Sequence, residues 1–314
     1  MLNGHLDTVG AEGMTVPPFE GVEKDGKIYG RGSADMKGGV AAAMLAMKAL
    51  ATGERPQGDV IFAGVADEEY ASSGTEAVVR EYHADAAIVC EPTGNEIHIA
   101  HKGFIWAAIE TFGRAAHGSR PAEGIDAIFK MGRVISGVEK LQRDLQNRRH
   151  QIAGAPSVHA SLITGGRELS TYPDYCKLQV ERRTIPGEGA GEFEGELREI
   201  LEGIASRDPE FKYKLDLFFI RPAYEIEKGH PIIRALKSAA LEAAGRDLPL
   251  AGASYWADTA ILGAAAIPGV LFGPSGAGFH GAEEFVYLDD VVDCARILTR
   301  AALNFTARQT TEEP

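Results

Sequence analysis

Cysteine is scarce. The 314-residue chain has three, Cys90, Cys176 and Cys294, far apart and with no Cys-x-x-Cys pair, which argues against a disulfide framework and against a thiolate zinc finger. Long apolar runs are missing as well: no stretch reaches the roughly 20 residues of a membrane-spanning helix. The first residues, Met1-Leu2-Asn3-Gly4-His5, lack the basic region and apolar core of a secretory leader. Cations are outnumbered, 32 Lys plus Arg against 45 Asp plus Glu, for a net charge of −13. A nucleic-acid backbone or an anionic membrane is therefore not an expected partner; the scattered cysteines fit a reducing cytoplasm, the expected location. Several catalytic signatures are also absent. There is no HExxH, no GxSxG and no GxxxxGK[ST], so a zincin helix, a serine-hydrolase elbow and a phosphate loop are all unsupported. The glycines of residues 273–278 do not join a strand to a following helix, as a dinucleotide turn does.

What remains is an ordered series of acids and histidines: His5-Leu6-Asp7, then Asp35 within Gly32-Ser33-Ala34-Asp35-Met36-Lys37-Gly38-Gly39, then Asp67-Glu68-Glu69, then Glu91-Pro92-Thr93, and finally His280. Two imidazoles with several carboxylates suit borderline divalent ions such as zinc. Singly these residues are weak signals. His5-x-Asp7 recurs by chance, Asp35 would serve as a helix N-cap, and His280 sits in a glycine-rich loop. Asp67-Glu68-Glu69 is harder to dismiss as a solvated charge run. Three adjacent acids closing a buried strand repel one another unless a cation or proton intervenes. One Glu can then bind metal while the other acts as a general base.

The apolar patterning explains where these residues fall. At 45% hydrophobic, the chain can bury a sizeable core in two domains. Residues 37–50 are rich in Ala, Met and Leu and predict a helix, with Gly38 and Gly39 permitting close backbone approach at its start. Residues 59–65 and 86–90 predict buried strands ending directly at Asp67 and Glu91, with a helix at 73–82 between them. This alternation implies an α/β domain with a mostly parallel sheet flanked by helices, whose ligands bind at the carboxyl ends of the strands. From residue 104 the order becomes strand 104–112, helix 124–145, strands 157–163 and 177–183, helix 192–206 and strand 211–220, a split βαβ α+β module. The α/β pattern resumes with helices 231–244 and 258–263, strand 267–272 and helix 288–307; the polar residues 308–314 are expected to fray. The expected organisation is a discontinuous catalytic domain, residues 1–103 plus 221–314, interrupted by an inserted domain, residues 104–220.

Taken together, the residues from His5 to Glu284 resemble the dinuclear zinc amidohydrolases that include acetylornithine deacetylase, succinyl-diaminopimelate desuccinylase, aminoacylase and glutamate carboxypeptidase. Gly113-Arg114-Ala115-Ala116-His117-Gly118-Ser119-Arg120-Pro121 and Glu181-Arg182-Arg183-Thr184-Ile185-Pro186-Gly187 resemble two stretches of that family's lid. The resemblance implies a ferredoxin-like lid that also forms a homodimer. It implies two divalent ions per chain, zinc first, with cobalt or manganese as alternatives. His5 and Glu91 would hold one, Glu69 and His280 the other, and Asp35 would bridge them. Asp7 would orient His5, and Glu68 would be the general base. His117 would reach the partner subunit's site and stabilise the oxyanion. Arg183 would bind a substrate carboxylate, and Gly273, Ser275 and Gly276 would shape the pocket floor. Tyr255 and Trp256 are candidates for a side-chain pocket, or simply core.

The implied activity is hydrolysis of the amide bond of an N-acyl amino acid. A dipeptidase or carboxypeptidase acting on a short peptide with a free carboxylate is the alternative, and a truncated, non-catalytic metal-binding dimer is a third. Family members carry several dozen residues ahead of the His-x-Asp strand, whereas four precede His5 here. The expectation is either an upstream start or a natural truncation, with too few residues for a normal strand of about five or six and a loose pocket around His5.

Overall fold

The computed structural model describes residues 1–307; the expected fraying of residues 308–314 lies outside the described residues. The chain divides into two compact units, one of residues 1–100, 225–253 and from 257 onward, the other of residues 101–224 with 254–256.

The first unit is built on a seven-stranded sheet. Five of its strands run in the order Ile97–His101, Gly269–Leu271, Ala87–Val89, Leu2–His5 and Phe62–Val65. The last four pair in parallel, as the alternating strand–helix pattern requires. These strands are short and nearly all apolar because helices such as Gly38–Thr52, Pro231–Ala244 and Leu288–Thr306 supply the core around them. A second, four-stranded sheet joins Gly276–Ala277, Phe285–Tyr287, Lys27–Tyr29 and Val22–Lys24.

The N-terminal strand departs from the expectation of too few residues and a loose pocket. Leu2–His5 is a full member of the sheet, not a stump. It pairs with Phe62–Val65 on one side and with Ala87–Val89 on the other. Its N-terminal ammonium donates to the Ala86 carbonyl at 2.8 Å, and all four of its residues are buried. Four residues suffice because both edges are satisfied by neighbours, so the strand needs no length of its own to stay in register.

The second unit has the order strand Gly103–Phe112, helix Ala127–Leu145, strands Ser157–Gly165 and Tyr175–Thr184, helix Ala190–Ala205 and strand Lys212–Arg221. The strands form one antiparallel sheet in which Gly103–Phe112 lies between Lys212–Arg221 and Tyr175–Thr184, with Ser157–Gly165 at the edge. Alternate residues Ile105, Ala107 and Ile109, with Leu178 and Val180, pack against Met131, Val134, Phe193 and Leu197 of the two helices. Period-two alternation in the strands and amphipathic helices thus produce a ferredoxin-like sandwich with one sheet face covered.

Candidate metal centre

The parallel strands aim their carboxyl ends at one place. His5 is the last residue of Leu2–His5, Asp67-Glu68-Glu69 follow Phe62–Val65, and Glu91 follows Ala87–Val89. Asp35 comes from the turn Ser33–Lys37, which leads into helix Gly38–Thr52. That helix starts against the sheet because Gly39 has no side chain: a Cβ there would sit 1.8 Å from the Cys90 carbonyl oxygen. Gly273 permits a similar approach, since its Cβ would lie 2.3 Å from the Glu91 carbonyl oxygen. The Gly273 amide donates to Thr93 Oγ1 at 3.0 Å, which holds the two loops together.

The geometry centres on Asp35. Its Oδ1 lies 3.1 Å from His5 Nε2, and its Oδ2 lies 3.3 Å from His280 Nε2. Glu91 Oε1 is 3.9 Å from the same His5 nitrogen, and Glu69 Oε2 is 3.2 Å from the same His280 nitrogen. Two groups result, His5 with Asp35 and Glu91, and Asp35 with Glu69 and His280, each with ligand atoms within 4.8 Å of one another. The donors fit a pair of divalent cations. Each group offers one imidazole and two carboxylate oxygens, and the buried Glu69 Oε1 has no hydrogen-bond partner among the described residues. His280 and Asp67 both adopt left-handed backbone conformations, φ 57° and 69°, unusual for residues other than glycine.

Supporting contacts fix these groups. His5 Nδ1 is 3.1 Å from the Asp7 carbonyl oxygen and 3.7 Å from the Asp7 carboxylate. The ring is therefore oriented chiefly by Asp7's main chain. The Asp7 carboxylate instead accepts from the amides of Glu68 and Glu69 at 3.3 and 3.2 Å, which pins the acidic turn. Sequence reasoning missed Glu284, which is 1% exposed. It accepts from Arg31 Nη1 at 2.7 Å and from the amides of Gly32, Ala34 and Asp35 at 3.0 Å each. It also missed a buried relay in which Asn3 Nδ2 donates to Thr75 Oγ1, which donates to Asp258 Oδ2 at 2.5 Å. Neither has a local motif; each is visible only once distant segments meet.

Of the other candidates, Gly276 packs against the metal-site turn, where a Cβ would come 2.5 Å from Ala34 Cβ. Ser275 accepts the Tyr287 amide through its carbonyl. His117 and Arg183 lie in the second unit. His117 is exposed, with Nδ1 2.8 Å from Ser119 Oγ. Arg183 Nε donates to Glu181 at 2.6 Å. Trp256 also groups with this unit, its Nε1 donating to the Pro222 carbonyl.

The crowding of acids is visible in their proton affinities. Burial and the charges of Asp35, Asp258 and Glu69 push Glu91 up to about 8, against the opposing pull of His5. Burial, with Glu91 and Asp258, holds Glu68 well above the usual carboxylate range. Burial alone would lower His5, but Asp35, Glu91 and Glu68 outweigh it and raise it to about 10. Folding of the metal-free chain therefore takes up protons. Glu91 binds more in the folded state between about 4.5 and 8, and His5 between about 6.5 and 10. Both stabilising contributions are complete at the low end of their windows and are lost as pH rises through the folded value. The melting temperature of metal-free protein should fall from pH 5 to pH 9. Divalent metal, which needs these ligands deprotonated, should flatten or reverse that slope. Differential scanning calorimetry with and without chelator checks it, and a metal-free melting temperature that rises over this range would contradict it.

The chain belongs to peptidase family M20/M25/M40, which it matches over residues 1–304. It is a metal-dependent hydrolase of that family. It is 29% identical to N-formyl-4-amino-5-aminomethyl-2-methylpyrimidine deformylase of Bacillus subtilis, with 98% of this chain and 80% of that protein aligned. It is also 29% identical to acetylornithine deacetylase of Buchnera aphidicola, covering 97% of this chain and 80% of the relative. Its fold is similar to that of the Bacillus subtilis YXEP protein, described as a dinuclear metal-binding peptidase of the M20 family, with a TM-score of 0.74, 18% identity, and coverage of 96% of this chain and 80% of the other.

Proposed function

We propose that the chain hydrolyses the amide bond of an N-acyl amino acid, using two divalent ions, zinc first. The observation that carries this reading is the division of the two Asp35 oxygens between the His5–Glu91 and Glu69–His280 groups. The names of the two sequence relatives support it, since both remove an acyl group from nitrogen. A dipeptidase acting on a short peptide is the second reading, favoured by the likeness to the YXEP peptidase.

His5, Glu91 and Asp35 would hold one ion and Asp35, Glu69 and His280 the other. A bound pair of ions would polarise the scissile carbonyl and acidify the attacking water. Glu68 takes the proton of that water and returns it to the leaving amine. A carboxyl whose proton affinity is raised by burial and by neighbouring Glu91 suits such a two-way role. Asp7 keeps the Glu68–Glu69 turn in place through its two amide contacts. Arg183 supplies the cation for the substrate carboxylate; in the first unit, Gly273, Ser275 and Gly276 shape the floor of the metal-site pocket.

His117 acts as an oxyanion donor across a homodimer formed through the lid. The dimer is supported by the lid's edge strand Ser157–Gly165, where Leu162 and Ile163 are 62% and 52% exposed. A paired edge would remove that apolar surface from water. The three cysteines are buried and unbridged, and no described helix is long and apolar enough to cross a membrane. Both agree with a cytoplasmic enzyme.

The test is metal content by elemental mass spectrometry together with turnover of N-acetyl amino acids and dipeptides. About two ions per chain with deacylation faster than peptide cleavage is expected; faster peptide cleavage would favour the second reading. Mixing inactive Glu68→Gln and His117→Ala chains should restore part of the activity, because hybrid dimers hold one intact site. Hybrids that form, by native mass spectrometry, yet stay inactive would remove His117 from this role.

A further inference from the structure

The helix-free face of the lid sheet carries a cluster of which only Arg183 has a role in the proposed reaction. Three adjacent strands present it as two cross-strand rows. One row is Glu181, Trp106 and Phe219, and the next, two residues along, is Arg183, Phe104 and Arg221. A register shift between Leu217 and Phe219 brings Phe219 opposite Trp106. Those two rings stack with centroids 5.0 Å apart, and Phe104 lies 5.4 Å from Trp106 and 5.7 Å from Phe219. Trp256 closes one side, edge-on to Phe104.

Each guanidinium lies over a ring, Arg183 at 5.2 Å from Phe104 and Arg221 at 5.0 Å from Phe219. Glu181 fixes the corner, accepting from Trp106 Nε1 at 2.8 Å and Arg183 Nε at 2.6 Å. Lys102 stands close enough that the charge of Arg183, after burial, lowers its proton affinity. Lys102, Arg183 and Arg221 thus bring three cations to a cluster whose named acid is Glu181, on a chain whose net charge is −13. Phe104, Trp106, Phe219 and Arg183 are all only half-buried.

We infer that this face is a binding site for a small molecule in which a carboxylate is joined to an aromatic ring, the anion held between Arg183 and Arg221 and the ring laid against Trp106 and Phe219. Charge complementarity selects the anion: guanidinium groups on both sides of Phe104 match a carboxylate's two oxygens. The exposed part of the stacked rings selects a planar partner, since aromatic pairs gain beyond their buried area. The inference rests on the proposed function only in giving Arg183 a carboxylate to bind, and it narrows that ligand to the aromatic acids.

The chain's two tryptophans, Trp106 and Trp256, are both in this cluster, so tryptophan emission, excited beyond the tyrosine absorption band, reports on it alone. Metal-free full-length protein would be titrated with N-acetyl-L-phenylalanine, N-acetyl-L-alanine and the uncharged N-acetyl-L-phenylalaninamide. The aromatic acid should bind about 10-fold or more tighter than either of the others, because each lacks one of the two anchors. Arg221→Gln should remove the preference for acid over amide, and Phe219→Leu the preference for phenylalanine over alanine. Phe219→Tyr, which keeps the ring, should bind as the parent does. Equal affinity for all three compounds would overturn the inference. So would an emission change produced by diluting the protein alone, which would mean that a second copy of the chain covers the face. Binding of the aromatic acid by a chain that fails to hydrolyse N-acyl amino acids when metal-loaded would support this site and refute the proposed reaction. Hydrolysis without any binding preference would do the reverse.

Discussion

Glu68→Gln should leave the metal content unchanged and lower kcat by about 10²- to 10⁴-fold, the range supplied by a positioned proton-transfer group. The amide has nearly the shape of the carboxylate but cannot take a proton. The contact that places the residue, its main-chain amide on Asp7 Oδ1, does not involve the side chain and survives the change. The neighbouring Glu69, whose Oε2 faces His280, stays available as a ligand. Steady-state kinetics paired with elemental analysis separates the two effects. Turnover near that of the parent would take the general-base role away from Glu68, and a loss of metal would make it a ligand.

Asp35→Ala should have the other large effect. Removing any other ligand weakens one group, whereas Asp35 is shared by both. Bound metal should fall from about two ions per chain to one or none, with activity lost in step, since two-metal hydrolysis needs both. The loss of affinity should exceed the 10- to 100-fold that outer partners contribute. The exposed acid Glu81, changed to Ala in parallel, should alter neither quantity. Retention of both ions by the Asp35 variant would show that the groups do not depend on a common carboxylate.

The parts of the fold that are legible in the sequence are those where one segment carries its own signal. Helix Pro231–Ala244 has proline at its start and glycine just beyond its end, and both bounds agree with the expected 231–244. The apolar runs before Asp67 and Glu91 are strands, though shorter than their composition suggests: Phe62–Val65 begins three residues after the apolar run opens at Asp59. The α/β class follows from this alternation. The three- and two-residue strands of the small sheet escape such a reading, because Val22–Lys24 or Gly276–Ala277 is too brief to show a period. Leu2–His5 is easily undervalued because its stability lies in its two neighbours rather than in its length.

The same distinction holds at the site. His5, Asp35, Glu69, Glu91 and His280 each stand beside a strand end or a glycine-rich turn and can be picked out as candidates. Glu284 cannot. It follows another glutamate in an unremarkable loop, and only its four donors, all from residues 31–35, reveal what it does. The Asn3–Thr75–Asp258 relay is hidden for the same reason, its members being 72 and 183 residues apart.

The reach of Glu284 has a consequence for the order of events during synthesis. Its bond to the Asp35 amide closes a loop of 249 residues, and His280 comes from the same late segment. A chain emerging from the ribosome can form the Leu2–His5 strand's pairings with Phe62–Val65 and Ala87–Val89 early, but not the turn that presents Asp35 in its final form. The inserted unit, whose pairings are internal to residues 101–224, has time to complete its own sandwich in the interval. Because non-local contacts of this span form slowly, tight capture of a cation pair should be among the last steps of maturation. A nascent chain truncated anywhere before residue 280 would have at most one of the two ligand groups and little hold on metal drawn from the cell.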